Sequence, residues 1–209
     1  MSDKKNEGKY LLYYEDQFSQ EDLEERRLYL NGAIGEFDGD NVASDIVYHI
    51  FRYNKMDNDI PVEERKPIYL YINSPGGSVV DGFSIVDAIL LSKTPVYTVN
   101  LALSASMAFY IFAAGHKRIA LPHSEFLLHE GQVGSFNNTL KVKDQIDFET
   151  NQVSTMIKKF VLEHTEISEA DYDKNERTEW YMLACEAKEL GVVDLIAGED
   201  CDIDMLYFK

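Results

Sequence analysis

Cysteine, tryptophan, proline and positive charge are all scarce in this chain, and the scarcities narrow what it can be. Two cysteines, Cys185 and Cys201, in 209 residues are too few and too far apart for a disulfide framework or a cysteine metal site. A reducing cytoplasm suits such a chain. Neither cysteine stands in the small-residue turn that a thiol nucleophile needs. Lysine and arginine total 20 against 37 acidic residues, a formal charge of −17; phosphate contacts require clustered basic residues, so nucleic acid is not an expected partner. No apolar run approaches the length that spans a bilayer, so no membrane partner is expected. The opening MSDKKNEGKYLLYYEDQ carries basic residues but only a short apolar run before acids return, which does not make a secretory signal.

What is present is ordinary for a globular chain, 45% hydrophobic and 27% charged, enough for one domain to bury a core without disulfide or metal staples. Residues 1–22 have no clear period and read as an arm. Leu28-Tyr29-Leu30 before Asn31-Gly32 predicts a short strand. Asn41 is a candidate N-cap for a helix running to about Arg52, on the spacing of Val42, Ile46, Val47 and Ile50. The polar stretch 54–66, with Pro61, reads as an inserted loop. Ile68 to Ile72 (IYLYI) is a strand that stops at Asn73-Ser74-Pro75-Gly76-Gly77. A helix with Val80, Phe83, Ile85, Val86, Ile89 and Leu90 on its apolar face should come next. The order then repeats: strand 96–99, a turn of small residues over 101–106, and a helix from Met107. Strands alternating with helices predict an α/β fold with parallel sheet. Short strands at 118–121 and 125–129 come after that, then a long amphipathic helix over about 139–162, a last helix 184–190 and a strand 192–196. The tail, 197–209, is acidic and is not placed.

Three features carry chemistry. Ser106 lies in a run of small residues, Ser104-Ala105-Ser106-Met107-Ala108, a small-x-Ser-x-small relative of the nucleophile elbow in which small neighbours leave room for a substrate carbonyl. Glycines at 76 and 77, directly after a strand, allow positive φ and a close backbone approach, leaving an N–H of the kind an oxyanion hole needs. The spacing is not that of a dinucleotide or phosphate loop. Of five histidines, His129 ends an apolar strand and opens a glycine-containing loop, so it is the candidate general base for Ser106. For the acid, Asp171, Asp173, Glu176, Glu179 and Asp194 all remain open.

The string IYLYINSPGGSV over 68–79, then Ala105-Ser106-Met107-Ala108, then Leu128-His129, then Glu186-Ala187 through Gly191-Val192-Val193-Asp194, resembles the Clp peptidase (ClpP) family from about Leu23 to Ile196. The resemblance implies a ClpP/crotonase-like α/β fold of repeated strand-strand-helix units with a protruding long helix, and a cytoplasmic serine endopeptidase. It places the nucleophile on Ser106, the base on His129, and the oxyanion-hole amides on Gly77 and Met107; Ser104 is then not the nucleophile. The third triad member falls on Glu179. It also implies stacked heptameric rings joined by the long helix, peptide or protein substrates, and an AAA+ unfoldase docking near Tyr69 and Tyr71. No cofactor belongs to the peptidase; ATP is used by the unfoldase.

The chain departs from the family pattern in three places. Glu179 stands where the family has aspartate, its extra methylene requiring the backbone to sit farther back, with Asp171 or Asp173 as alternatives. The stretch 54–66 is longer than the family's connection, and the arm 1–22 does not match the family's pore-lining segment. Two other readings therefore stand beside the peptidase: a catalytically impaired ring subunit or scaffold, and a crotonase-like acyl-CoA enzyme. The Ser106 and His129 pairing and the lack of a basic cluster for CoA phosphates speak against the acyl-CoA enzyme.

Overall fold

The computed structural model describes residues 18–35, 42–131 and 138–207; the arm as far as residue 17 and the candidate cap Asn41 lie outside them. Within them, α1 (Gln20–Glu24) leads into β1 (Arg27–Asn31), succeeded by α2 (Val42–Met56), a 3-10 turn (Val62–Glu64), β2 (Ile68–Ser74) and α3 (Val79–Leu91). Next come β3 (Val96–Ala105), α4 (Met107–Ala113), β4 (Lys117–Ala120) and β5 (Glu125–Leu128). The long helix runs as α5 (Thr139–Phe148), a π turn (Glu149–Val153) and α6 (Ser154–His164). The described chain closes with α7 (Glu169–Asn175), β6 (Trp180–Leu183), α8 (Ala184–Glu189), β7 (Leu195–Ile196) and a 3-10 turn at Ile203–Leu206.

The sheet has the order β1-β2-β3-β4-β7, with every one of those pairs parallel, while β5 branches from β3 and carries β6 antiparallel. This is a mixed α/β architecture with a mostly parallel sheet, as the resemblance implies. The alternation in β2 shows how the sequence builds two layers. Ile68, Leu70 and Ile72 join Leu28 and Leu30 of β1 in the main core under the helices, and α4 is buried along its whole length. Tyr69 and Tyr71 point the other way, into a second cluster with Val99, Ile119, Ala197 and Leu206.

Several expectations are corrected. Residues 101–105 are strand, not turn: the β2–β3 register slips between Ile72↔Asn100 and Ser74↔Ser104, so β3 carries extra residues and its end swings over to pair with β5. Such a bulge bends a strand and re-aims the side chains beyond it. The stretch 54–66 is not one loop, because α2 runs on to Met56 and the remainder is pinned from inside. Asp57 accepts hydrogen bonds from Nη1 and Nη2 of Arg26, each at 2.6 Å, and from the Thr94 hydroxyl at 2.9 Å. Val80 and Leu90 lie outside the buried face of α3. The terminal strand is only Leu195–Ile196.

The tail has a definite place. Ala197 bridges to Cys201, Asp200 accepts from the Ile196 N–H at 2.7 Å and pairs with Lys188, and the last 3-10 turn crosses the tyrosine face of the sheet. There the Leu206 carbonyl accepts the Tyr71 hydroxyl at 2.5 Å. No helix of the described residues is long and apolar enough to cross a membrane.

Candidate active site

Ser106 is the hinge between β3 and α4, with φ 53° and ψ −124°. A non-glycine residue in that region is strained, and strain of this kind clusters at functional sites where the surroundings over-determine it. Here the surroundings are explicit. The Ser106 N–H donates to the Leu127 carbonyl at 2.9 Å, extending the β3–β5 ladder, and its own carbonyl accepts from Phe109 at 3.0 Å to start α4. Gly76 lies against the same elbow: a Cβ on it would stand 2.6 Å from the Ala105 carbonyl oxygen, 2.7 Å from Ser106 Cβ and 2.8 Å from the Met107 nitrogen. Only glycine fits that gap. Gly82 of α3 makes room in the same way for the Met107 side chain, which a Cβ would meet at 2.1 Å.

The β3–β5 pairing brings His129 to the same end of the sheet, two residues beyond Leu127. Strand β6 then brings up a carboxylate, Glu179, on the residue just before it. Its antiparallel register sets Trp180 opposite Leu128, so Glu179 falls beside His129, and the Glu130 N–H to Glu176 carbonyl bond at 2.7 Å fastens the two segments again. His129 Nδ1 lies 3.2 Å from Glu179 Oε1, and the other carboxylate oxygen is 3.4 Å from the Tyr181 hydroxyl. With its proton on Nδ1, the imidazole donates to Glu179 and keeps the Nε2 lone pair. The pair is unequal in its exposure to water, the His129 side chain 18% exposed and Glu179 56%.

The other carboxylates are engaged elsewhere. Asp171 accepts from Ser168 at 2.6 Å, Asp173 from Lys158 at 2.6 Å, and Asp194 takes the Arg118 guanidinium at 2.5 Å. Glu176 lies 3.8 Å from its neighbour Arg177. Of the five acids open in the sequence, Glu179 is therefore the one the fold sets on His129. His49 is buried among Phe18, Tyr48 and Tyr53, and His116 accepts the Val96 N–H at 3.0 Å. Ser104 is fully buried, and among the described residues its hydroxyl has no hydrogen-bond partner.

The two amides named for an oxyanion hole flank this elbow. Met107 is the first residue of α4, a position whose N–H has no acceptor within its helix. Gly77, at φ 144°, sits between two bonded neighbours: the Gly76 N–H goes to Ser74 Oγ and the Ser78 N–H to the Ile34 carbonyl. Among the described residues no acceptor lies on the Gly77 N–H. Tyr69 and Tyr71, by contrast, stand away from the elbow on the outer sheet face and are 3% and 7% exposed, with the chain's own tail lying across them.

The sequence-family model for Clp protease matches residues 15–200, which takes in every element of this site. The chain belongs to the Clp protease family. The Clp family is one of serine peptidases, and relatives within it carry the name proteolytic subunit. The ATP-dependent Clp protease proteolytic subunit 3 of Parasynechococcus marenigrum is 33% identical over 177 residues, 82% of either chain. Subunit 2 of Prochlorococcus marinus strain MIT 9312 is 33% identical over 168 residues, 78% of either chain. The proteolytic subunit of Pleurastrum terricola is 35% identical over 143 residues, 66% of this chain and 70% of that one. Identity at this level makes the chain a divergent Clp member.

The feature that sequence reading missed is β6. It is four residues long with Met182 its one buried residue, so it shows no alternation of buried and exposed positions; the signal available was its short aromatic and aliphatic run, Trp180-Tyr181-Met182-Leu183.

Proposed function

We propose that this chain is a serine endopeptidase subunit of a self-compartmentalised Clp-type protease, with Ser106 as nucleophile, His129 as general base and Glu179 as the acid that holds the imidazole. The observation that carries the reading is the His129–Glu179 contact, two residues beyond the Leu127 carbonyl that holds the N–H of Ser106, a serine at positive φ. Ser106 Oγ attacks the scissile carbonyl carbon as its proton passes to His129 Nε2. The carbonyl oxygen, now an oxyanion, takes hydrogen bonds from the Gly77 and Met107 amides. His129 then gives the proton to the leaving amine as the C–N bond breaks, leaving the acyl group on Ser106. Water, giving a proton to the same imidazole, attacks the ester carbonyl; the bond to Ser106 Oγ breaks, Oγ takes the proton back from His129, and the acid product leaves. Glu179 keeps the proton on Nδ1 and offsets the charge on the imidazolium. None of these steps calls for a metal or an organic cofactor.

The working particle is a pair of stacked heptameric rings enclosing the sites, located in the cytoplasm. The first half of the long helix supports that arrangement: α5 has no buried residue among the described residues and exposes Leu140, Ile146 and Phe148, an apolar set suited to a second copy. Unfolded polypeptide arrives from an AAA+ unfoldase that uses the ATP and docks at Tyr69 and Tyr71; docking there requires the tail at Ile203–Leu206 to move aside.

The second reading, a ring subunit of impaired activity, is favoured by one observation: Glu179 is more than half exposed, whereas the acid of a working triad is ordinarily buried. Cleavage of a fluorogenic peptide by the assembled particle tests the two. The parent should turn over, and Ser106→Ala should cost on the order of a millionfold in kcat. Rings that form but cleave nothing would support the impaired subunit, and Ser106→Ala cleaving like the parent would remove the assignment of Ser106.

A further inference from the structure

Ser74, the last residue of β2, is fully buried and makes two hydrogen bonds through one oxygen. Its hydroxyl donates to the Gly32 carbonyl at 2.6 Å and accepts the Gly76 N–H at 3.1 Å. The segment after β1 then clasps the rest of the glycine turn. Gly32 N–H donates to the Asn73 carbonyl at 3.0 Å, Ile34 N–H to the Gly76 carbonyl at 2.8 Å, and Ser78 N–H to the Ile34 carbonyl at 2.8 Å. The Gly76 N–H and carbonyl and the Ser78 N–H are thus tied down, and of the N–H groups of residues 76–78 that of Gly77 alone has no acceptor among the described residues.

We infer that Ser74 is a positioning residue for the oxyanion hole, fixing Gly76 and through it the direction of the Gly77 amide. Ser74 touches no substrate and no reacting atom. Two features give it reach: Gly76 sits in contact with the Ala105-Ser106-Met107 backbone, with no space for a methyl group between them, and the bond from the Gly76 N–H to the Ser74 hydroxyl is buried. An unpaired N–H there carries a full desolvation cost, so removing the hydroxyl drives Gly76 to find another partner, while the exposed Gly32 can turn to water. A movement of Gly76 turns the next amide along. A donor misaimed by a fraction of an ångström stabilises the oxyanion less while substrate binding is unchanged, which is the signature of an interaction made mainly in the transition state.

The inference rests on the proposed reading of Ser106 and the Gly77 amide, so the experiment has two layers. The parent and Ser106→Ala come first: if Ser106→Ala cleaves a fluorogenic peptide like the parent, the reading of the site fails whatever Ser74 does. Given an active parent, Ser74→Ala is measured for kcat and KM, and for inhibition by a peptide boronate, whose tetrahedral serine adduct puts an oxygen into the same hole. The expected result is a fall of about 10–100-fold in kcat, an equal weakening of boronate inhibition, KM within about twofold, and an unmoved pH profile, since His129 and Glu179 are not disturbed. Ser74→Cys nearly keeps the shape but substitutes a weak donor; it should show a smaller loss in the same two quantities and serves if Ser74→Ala does not fold. Parent-like kcat and boronate affinity in whichever variant folds overturns the inference. So does a loss of kcat without a matching loss of boronate affinity.

Discussion

Replacing Glu179 by aspartate restores the residue that the resemblance leads one to expect at this position, and the geometry says that it will harm the enzyme. The His129 Nδ1 to Glu179 Oε1 distance is 3.2 Å. Removing one methylene withdraws the carboxylate by about 1.5 Å along the side chain, leaving it at roughly 4.7 Å, beyond hydrogen-bond range. Glu179→Asp should therefore behave like Glu179→Gln rather than like the parent. The size of the loss is set by exposure. Unit charges at the parent's 3.2 Å attract by about 1.3 kcal/mol in water and about 5 kcal/mol at the effective dielectric of a protein surface. With Glu179 56% exposed the wet end of that range applies, and about 1.4–2.7 kcal/mol corresponds to about 10–100-fold in kcat. Both variants should lose that much in fluorogenic-peptide turnover, with KM little changed. An aspartate variant as fast as the parent would refute the reasoning, and so would a loss near ten-thousandfold, which belongs to a buried acid.

Further outcomes concern stability and the tail. Arg26 holds the Asp57 carboxyl below its usual range through a bidentate hydrogen bond, and the pair is nearly sealed from solvent; Asp57→Ala should cost about 3–5 kcal/mol in a urea titration, and a cost under about 1 kcal/mol would mean the pair is not buried in solution. Burial, helped by nearby Arg52, lowers the His49 pKa to about 4. A folded pKa below the unfolded one gives stability that is complete above about pH 6.5 and lost as pH falls towards 4, about 2 kcal/mol of it by pH 5. His49→Phe should flatten that slope in urea titrations between pH 7 and 5, and an unchanged slope would assign it elsewhere. Truncation after Asp202 should uncover Tyr69 and Tyr71, raise binding of an apolar dye such as ANS, and cost about 1.5–3 kcal/mol from the loss of buried Leu206; unchanged dye binding would show that the tail does not cover this face.

Legibility in the sequence tracks how each element is buried. Strand β2 is plain because β-branched, aliphatic and aromatic residues fill both of its faces and Asn-Ser-Pro-Gly-Gly ends it. The elbow at Ser106 is plain as chemistry but misleading as structure: Leu101–Ala105 reads as a turn because Ala102, Ser104 and Ala105 are small, and a register slip of β3 against β2, which no local pattern reports, makes it strand. The run of α2 to Met56 is hidden by polar residues whose partners come from elsewhere; Asn54 reaches the Ser92 hydroxyl at 2.7 Å and the Lys93 N–H at 2.8 Å. The acid is undetermined in the sequence for a similar reason. Five carboxylates share one stretch of chain, and what separates them is an antiparallel strand with a single buried residue together with the particular partners, Ser168, Lys158 and Arg118, that occupy three of the others.

The most direct test of the central claim is covalent labelling. The assembled protein is treated with a fluorophosphonate, digested, and the modified peptide mapped by mass spectrometry. A single adduct on Ser106, absent from Ser106→Ala and much slowed in His129→Ala, is the result this account requires; no adduct at all, or one on Ser104 or another serine, would contradict it.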